Sequence, residues 1–190
     1  MIIKVPYYSQ YIDVVDREWQ SRACGVACLK MLLGAQVVRT PSIDEMIRQG
    51  EAIGAYSPSG WTHEGLIALG RKYYTKLSRA EWRQDSLSRQ NDVRDMIPQN
   101  QKTADQLNEE GIVFLISELR SGHPLIVSAI KNFEVVDKFH MVVLTGFEEE
   151  DGKVTGFYYH DSDTHHRGEG KNIFVPIETF QTTWRRMAIF

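Results

Sequence analysis

Apolar positions in "SRACGVACLKMLLG", residues 21–34, fall at Val26, Leu29, Leu32 and Leu33. Spacings of three, six and seven predict an amphipathic helix, with Gly34 as its stop signal. After Thr40-Pro41-Ser42 the pattern restarts in "SIDEMIRQGEAIG", where Ser42 as N-cap and Glu45 three residues on have the spacing of a capping box. "SPSGWTHEGLIALGRKYY" predicts another helix, capped by Thr62, with Leu66, Ile67, Leu69 and Tyr73 on one side. "EEGIVFLISELRSGHP" predicts one more, ending at Gly122. The period then changes. "LIVSAI", "HMVVLTGFEE", "GKVTGFYYHDSD", "NIFVPIETF" and "RRMAIF" are β-branched and aromatic runs bounded by Gly, Asp and Asn, which predicts strands. Asp151-Gly152 between two of them is a strong hairpin signal. The opening "MIIKVPYYSQ" reads as a short extended segment broken by Pro6, and residues 79–108 as a polar insertion or mobile connection. A helical front half and an antiparallel back half define an α+β class, here one domain over residues 1–190.

Composition narrows the setting. A chain of 190 residues with 42% hydrophobic and 25% charged positions can bury a sizeable core without disulfides or metals. The net charge of −3, and the lack of a basic stripe interleaved with aromatics, give no drive toward nucleic acid or an anionic membrane. No apolar run approaches the roughly 18 residues of a membrane span. The first residues lack a basic region followed by a long apolar one, so the expected compartment is the cytoplasm. Two cysteines four residues apart on one helix are poorly aimed for a bridge, so both are expected as reduced thiols.

Cys24 stands where the helix begins. Unpaired backbone N–H groups and the positive end of the macrodipole favour its thiolate. Gly25 removes side-chain bulk and would let a substrate backbone approach the sulfur. Cys28, one turn further among apolar residues, reads as core. Thiolate chemistry needs a base, and that base needs an orienting group. His140 enters the apolar strand "HMVVLTG", and Asp161 ends the next strand in "FYYHDSD". The Asp-Gly hairpin brings the start of the first strand beside the end of the second, so His140 and Asp161 become neighbours. Asp163, two residues on, is the near alternative.

Other polar positions compete. Asp163, His165 and His166 in "HDSDTHH" are metal-ligand types, but their spacing matches no ligand motif, so a solvated turn is expected and no metal or other cofactor is required. His63 reads as a helix-start residue and His123 as a turn residue. Trp61, Trp82 and Trp184 read as core and rim packing, with a groove lining as the alternative.

The ordered set "VPYYSQ…ACGVACLKMLL…GWTHEGLIAL…SGHPLIVSAI…HMVVLTGF…HDSD" resembles the papain-like double-glycine leader peptidases, which process bacteriocins, and their wider peptidase-like relatives. The resemblance spans nearly the whole chain outside residues 79–108. It implies a papain-like fold with Cys24 as nucleophile on a central helix and His140 and Asp161 on the sheet. It also implies an upstream glutamine whose amide helps form an oxyanion hole. Leader peptidases proper place that glutamine about six residues before the cysteine, where this chain has Glu18. The wider relatives end a "VPYYSQ"-like strand with it, which matches Gln10; Gln20 is the local competitor. The function expected is a cysteine peptidase acting on a peptide or amide substrate. An acyltransferase or amidase using the same triad, or a non-catalytic peptide-binding module on the same fold, is the alternative.

Overall fold

The structure, a computed structural model, describes residues 1–83, 102–133 and 139–190. Side-chain caps set most helix starts. Asp16 caps α1 (Arg17–Gln20) by accepting from the Glu18 N–H. α2 (Cys24–Ala35) follows without a side-chain cap. Ser42 caps α3 (Ile43–Ala52), but the Glu45 carboxylate turns to Arg48 and Gln49, so the reciprocal half of the capping box is not made. A small β1 (Tyr56–Ser57) and β2 (Gly60–Trp61) pair leads to α4 (His63–Arg71), capped by Thr62. The complete capping box lies at Thr103 and Gln106, opening α5 (Ala104–Arg120).

Gly34 does not stop α2. The helix runs to Ala35, and a Cβ on Gly34 would stand 2.5 Å from Pro6 Cγ. Glycine is there because the N-terminal segment crosses the helix at contact distance.

The segment 79–108 is more ordered at its ends than its composition suggests. Residues 79–81 form β3 (Arg79–Glu81), and α5 begins at Ala104. Residues 84–101 lie outside the described residues.

The strands expected in the back half form β4 (Leu125–Ile130), β5 (Phe139–Glu150), β6 (Lys153–His160), β7 (Ile173–Pro176) and β8 (Trp184–Ile189). "NIFVPIETF" divides at its proline. Pro176 has no N–H for a ladder, and its φ of −59° suits a helix start, so α6 (Ile177–Thr183) follows β7 directly. With β3, the strands make a six-stranded sheet of order β3-β8-β4-β5-β6-β7 whose pairs are all antiparallel. Asp151 and Gly152, at φ of 49° and 76°, turn β5 into β6.

The sheet is covered on both faces, so its central strands are apolar on both sides. Met141 and Val143 of β5 pack with α2, α3 and α4, including Leu29, Leu33 and Met46. Val142 and Leu144 face α5 and α6, including Leu115, Leu119 and Phe180. Buried on nearly every side, α2 is the central helix. Residues 1–3 run along β5: Ile3 N–H donates to the Thr145 carbonyl (2.7 Å) and Phe147 N–H to the Met1 carbonyl (3.1 Å). That strip carries the chain toward the end of the sheet where β5 begins and β6 ends.

Candidate active site

Three elements meet at that end. Cys24 is the first residue of α2, His140 the second of β5, and Asp161 immediately follows β6. The register pairs Val143 with His160, which leaves His140 and Asp161 as diagonal neighbours on one face of the hairpin. His140 Nε2 lies 2.6 Å from Asp161 Oδ1, and both residues are 5% exposed. With Nε2 committed, Nδ1 is the ring nitrogen left for the sulfur, and Cys24 and His140 act on each other electrostatically.

The electrostatics follow from these contacts. Burial is the largest influence on the Cys24 thiol and raises its pKa. The His140 hydrogen bond and positive charge, with backbone N–H groups of Met141 and Gly25, outweigh it, so the thiol is lowered from the ordinary 9.0. Burial pulls His140 down, but hydrogen bonds to Asp161 and Cys24 push it up to about 10. Burial likewise works against the Asp161 carboxylate, and the His140 hydrogen bond and charge overcome it and lower its pKa. The site therefore favours a thiolate–imidazolium pair backed by a carboxylate.

The neighbouring candidates separate cleanly. Asp163 is not the orienting carboxylate: its side chain pairs with Lys131, while its N–H donates to Asp161 Oδ1 (2.8 Å). Cys28 is buried, donates from Sγ to the Met141 carbonyl (3.2 Å), and is pushed well up by burial. His165 stacks on Tyr11 with ring centroids 3.9 Å apart. His160 uses both ring nitrogens structurally, Nε2 toward the Val5 carbonyl (3.2 Å) and Nδ1 accepting from the Asn172 N–H (3.0 Å). Among the described residues there is no group of three His, Cys, Asp or Glu suited to a metal ion.

Gln10 and Gln20 have different surroundings. Gln20 Nε2 donates to the Tyr11 and Val14 carbonyls at 3.1 and 3.0 Å, which ties the 11–14 loop to α1. Gln10 is 2% exposed; its N–H donates to the Ser162 carbonyl (2.9 Å), and its Oε1 accepts from Ser162 Oγ (3.1 Å). Gln10 Nε2 has no hydrogen-bond acceptor among the described residues. Extending the β5–β6 register by two places puts Ser162 opposite Met141, the neighbour of His140. Gln10 therefore belongs to the same end of the sheet as Cys24. Glu18, six residues before Cys24, is exposed at the start of α1.

Gly25 has a different reason from the one its position suggests. A Cβ there would lie 2.9 Å from Trp61 Cβ and 3.2 Å from Leu66 Cδ1, so the glycine admits the indole against α2 rather than a substrate. Trp61 is buried, and its Nε1 donates to the Arg22 carbonyl (2.8 Å), fixing the residues just ahead of Cys24. Trp184 is buried and packs with half-buried Trp82, so these indoles are core and rim. His63 opens α4, and burial pulls it down to about 4.

Sequence reasoning missed the supports. Tyr7 Oη donates to the Asp161 carbonyl (2.9 Å) and Ser9 Oγ to the Thr164 carbonyl (2.6 Å), so "YYS" is a clamp on the loop that carries the carboxylate. The signal was a run of polar-tipped residues beside Gln10, which has no helical or strand period to mark it.

A central helix with cysteine at its first turn, laid on an antiparallel sheet that presents His and Asp, is the papain-like arrangement. The chain belongs to the Peptidase_C39 like family, whose sequence profile matches residues 2–188. No curated protein sequence matches it. Among solved structures it is similar to a C39-like peptidase from Bacillus anthracis (TM-score 0.63, 16% identity, 99% of this chain and 95% of that one). It is also similar to the peptidase domain of Streptococcus ComA, a bi-functional ABC transporter involved in quorum sensing (TM-score 0.56, 17% identity, 99% and 96%). A third is a double-glycine-motif protease from an AMS/PCAT transporter in complex with its leader peptide (TM-score 0.55, 18% identity, 100% and 91%). At these identities the likeness is one of fold. No helix among the described residues is long and apolar enough to cross a membrane.

Proposed function

We propose that the protein is a cysteine peptidase that cleaves a peptide or amide bond through Cys24, His140 and Asp161. The observation that carries this reading is the His140–Asp161 hydrogen bond beside Cys24, with a lowered thiol and a raised imidazole. The Cys24 thiolate adds to the scissile carbonyl carbon, and the carbonyl pair moves onto oxygen. Gln10 Nε2 and the Cys24 N–H are the donors assigned to that oxyanion. His140 then gives its proton to the leaving amine as the C–N bond breaks, which leaves a thioester on Cys24. Water, deprotonated by the same imidazole, attacks the thioester; the acid is released and the thiolate returns. Asp161 holds the ring with Nδ1 toward sulfur throughout.

A module that only bound peptide would have no use for a buried imidazole raised to about 10 beside a thiol. The leader peptide held by one structural relative supports a peptide as the substrate class. Glu18 in the usual place of the leader-peptidase glutamine keeps the proposal from naming double-glycine leaders. The test is incubation with thiol-reactive peptide-like electrophiles, followed by intact-mass and peptide mapping. A single adduct on Cys24, and loss of cleavage of a complex peptide mixture in Cys24→Ala, is the expected result. Labelling without site preference, or cleavage that survives Cys24→Ala, overturns it.

A further inference from the structure

Phe139 is a large apolar side chain left 53% exposed beside the proposed base. It alternates with His140 along β5 and shares the face of Met141, which packs in the core cluster of α2. The ring therefore stands on the α2 side of the sheet. Register brings β8 to the same rim: Phe139 pairs with Ile130 and His140 with Ala129, while Ala129 pairs with Trp184. The next residue, Arg185, lays its guanidinium carbon 3.6 Å from the Phe139 ring centroid. Its backbone is pinned by Arg83 Nε, which donates to the Arg185 carbonyl (2.8 Å).

Among the described residues no carboxylate lies within ion-pair distance of Arg185, and its guanidinium donates no hydrogen bond. The Glu81 carboxylate acts on it beyond ion-pair distance and also meets Arg79 (3.4 Å), which Glu64 shares, while Arg83 adds repulsion. A guanidinium seated over a ring leaves N–H groups for a planar, bidentate acceptor. We propose that Arg185, held over the Phe139 ring, forms a subsite for a carboxylate carried by the peptide substrate. Extended peptide advances about 3.3 Å per residue, so a site adjoining His140 reads a position within about three residues of the scissile bond. The inference rests on the peptidase reading and adds the chemistry that site selects.

The carboxylate is either an acidic side chain or a chain end, and two arms separate them. In the first, peptidyl vinyl sulfones that differ only by Glu or Gln at each of the three residues before the warhead compete for Cys24, with rates read by mass spectrometry. In the second, short peptides ending in a free acid or an amide compete with the neutral probe. One pair is expected to differ by about tenfold in favour of the anion. That ratio should collapse toward one in Arg185→Gln and persist in part in Arg185→Lys. A difference in the first arm assigns the side chain, and a difference in the second assigns the chain end. Equal rates in both arms, or a preference that survives Arg185→Gln in protein with native circular dichroism, overturns the subsite and leaves the peptidase reading standing. If no probe labels Cys24, the peptidase reading falls and takes the subsite with it.

Discussion

Removing the His140 ring tests the electrostatic core of the site directly. Two of the influences that lower the Cys24 thiol, a hydrogen bond and a positive charge, come from that ring; burial, the largest influence, opposes them. In His140→Ala only the Met141 and Gly25 N–H groups remain against burial, so the thiol returns toward or above its ordinary 9.0. A thiol at that value is about 1% ionised at pH 7. The thiolate that remains is a somewhat better nucleophile, because reactivity rises with basicity by a Brønsted slope of about 0.4–0.5. The net expectation is a fall of about tenfold or more in Cys24 alkylation at pH 7. The assay is iodoacetamide labelling from pH 5 to 10.5, quenched and mapped by peptide, with Cys28 as the internal comparison. The native midpoint should lie below 9.0 and that of His140→Ala at or above it, with Cys28 silent in both because burial raises it. An unchanged midpoint, or Cys28 labelled as fast as Cys24 in folded protein, refutes the pairing.

Other expectations follow from the same contacts. Asp161→Asn should leave slow residual turnover and move the upper limb of the pH–rate profile below the about 10 set by His140; an unmoved limb refutes the orienting role. His140, raised from 6.5, adds stability that is complete below 6.5 and lost as pH rises through its folded value. In Cys24→Ala, where the thiolate's upward push is gone and Asp161 remains, the melting temperature relative to Cys24→Ala/His140→Ala should decline from pH 6.5 and level off below the native value of about 10. Gln10→Ala should cost about 10²–10³ in turnover with little change in folding, whereas Gln20→Ala should lower stability first; the reverse pattern moves the oxyanion donor to Gln20. Gly25→Ala should destabilise by about 1–3 kcal/mol in denaturant titration, because its methyl would press on Trp61; a neutral result refutes the packing role.

The legible parts of this chain were those in which local pattern and tertiary role coincide. α2 declares itself by apolar spacing, and α4 by a threonine cap. The His140–Asp161 juxtaposition needed only Asp151-Gly152, because an antiparallel hairpin fixes which ends meet without fixing its bulges. Two shifts in the β5–β6 register left that pairing intact. What stayed hidden depended on distant partners. β3 is three residues long and exists by pairing with β8 more than a hundred positions away, so its polar sequence carries no period. α6 was masked by Pro176, whose flanks are as aromatic as a strand and whose effect is felt only where the ladder runs out. Thr103 and Gln106 did announce the start of α5, but the polar residues around them hid a capping box with the same spacing as the one read at Ser42.

Gly25 shows why residue type near a nucleophile is an unsafe guide to role. Beside Cys24, a missing side chain suggests room for a substrate; in space it is room for Trp61, whose indole reaches the Arg22 carbonyl and holds the turn before the helix. Helix start, thiol position and the indole are thus one mechanical unit, and the glycine reaches the chemistry through packing. The same logic applies to "VPYYSQ". Its proline meets Gly34, Tyr7 and Ser9 clamp the loop after β6, and Gln10 takes Ser162, so one strip of ten residues ties the far end of α2 to the carboxylate loop. A strip that fixes both the helix bearing the sulfur and the loop bearing Asp161 sets their separation.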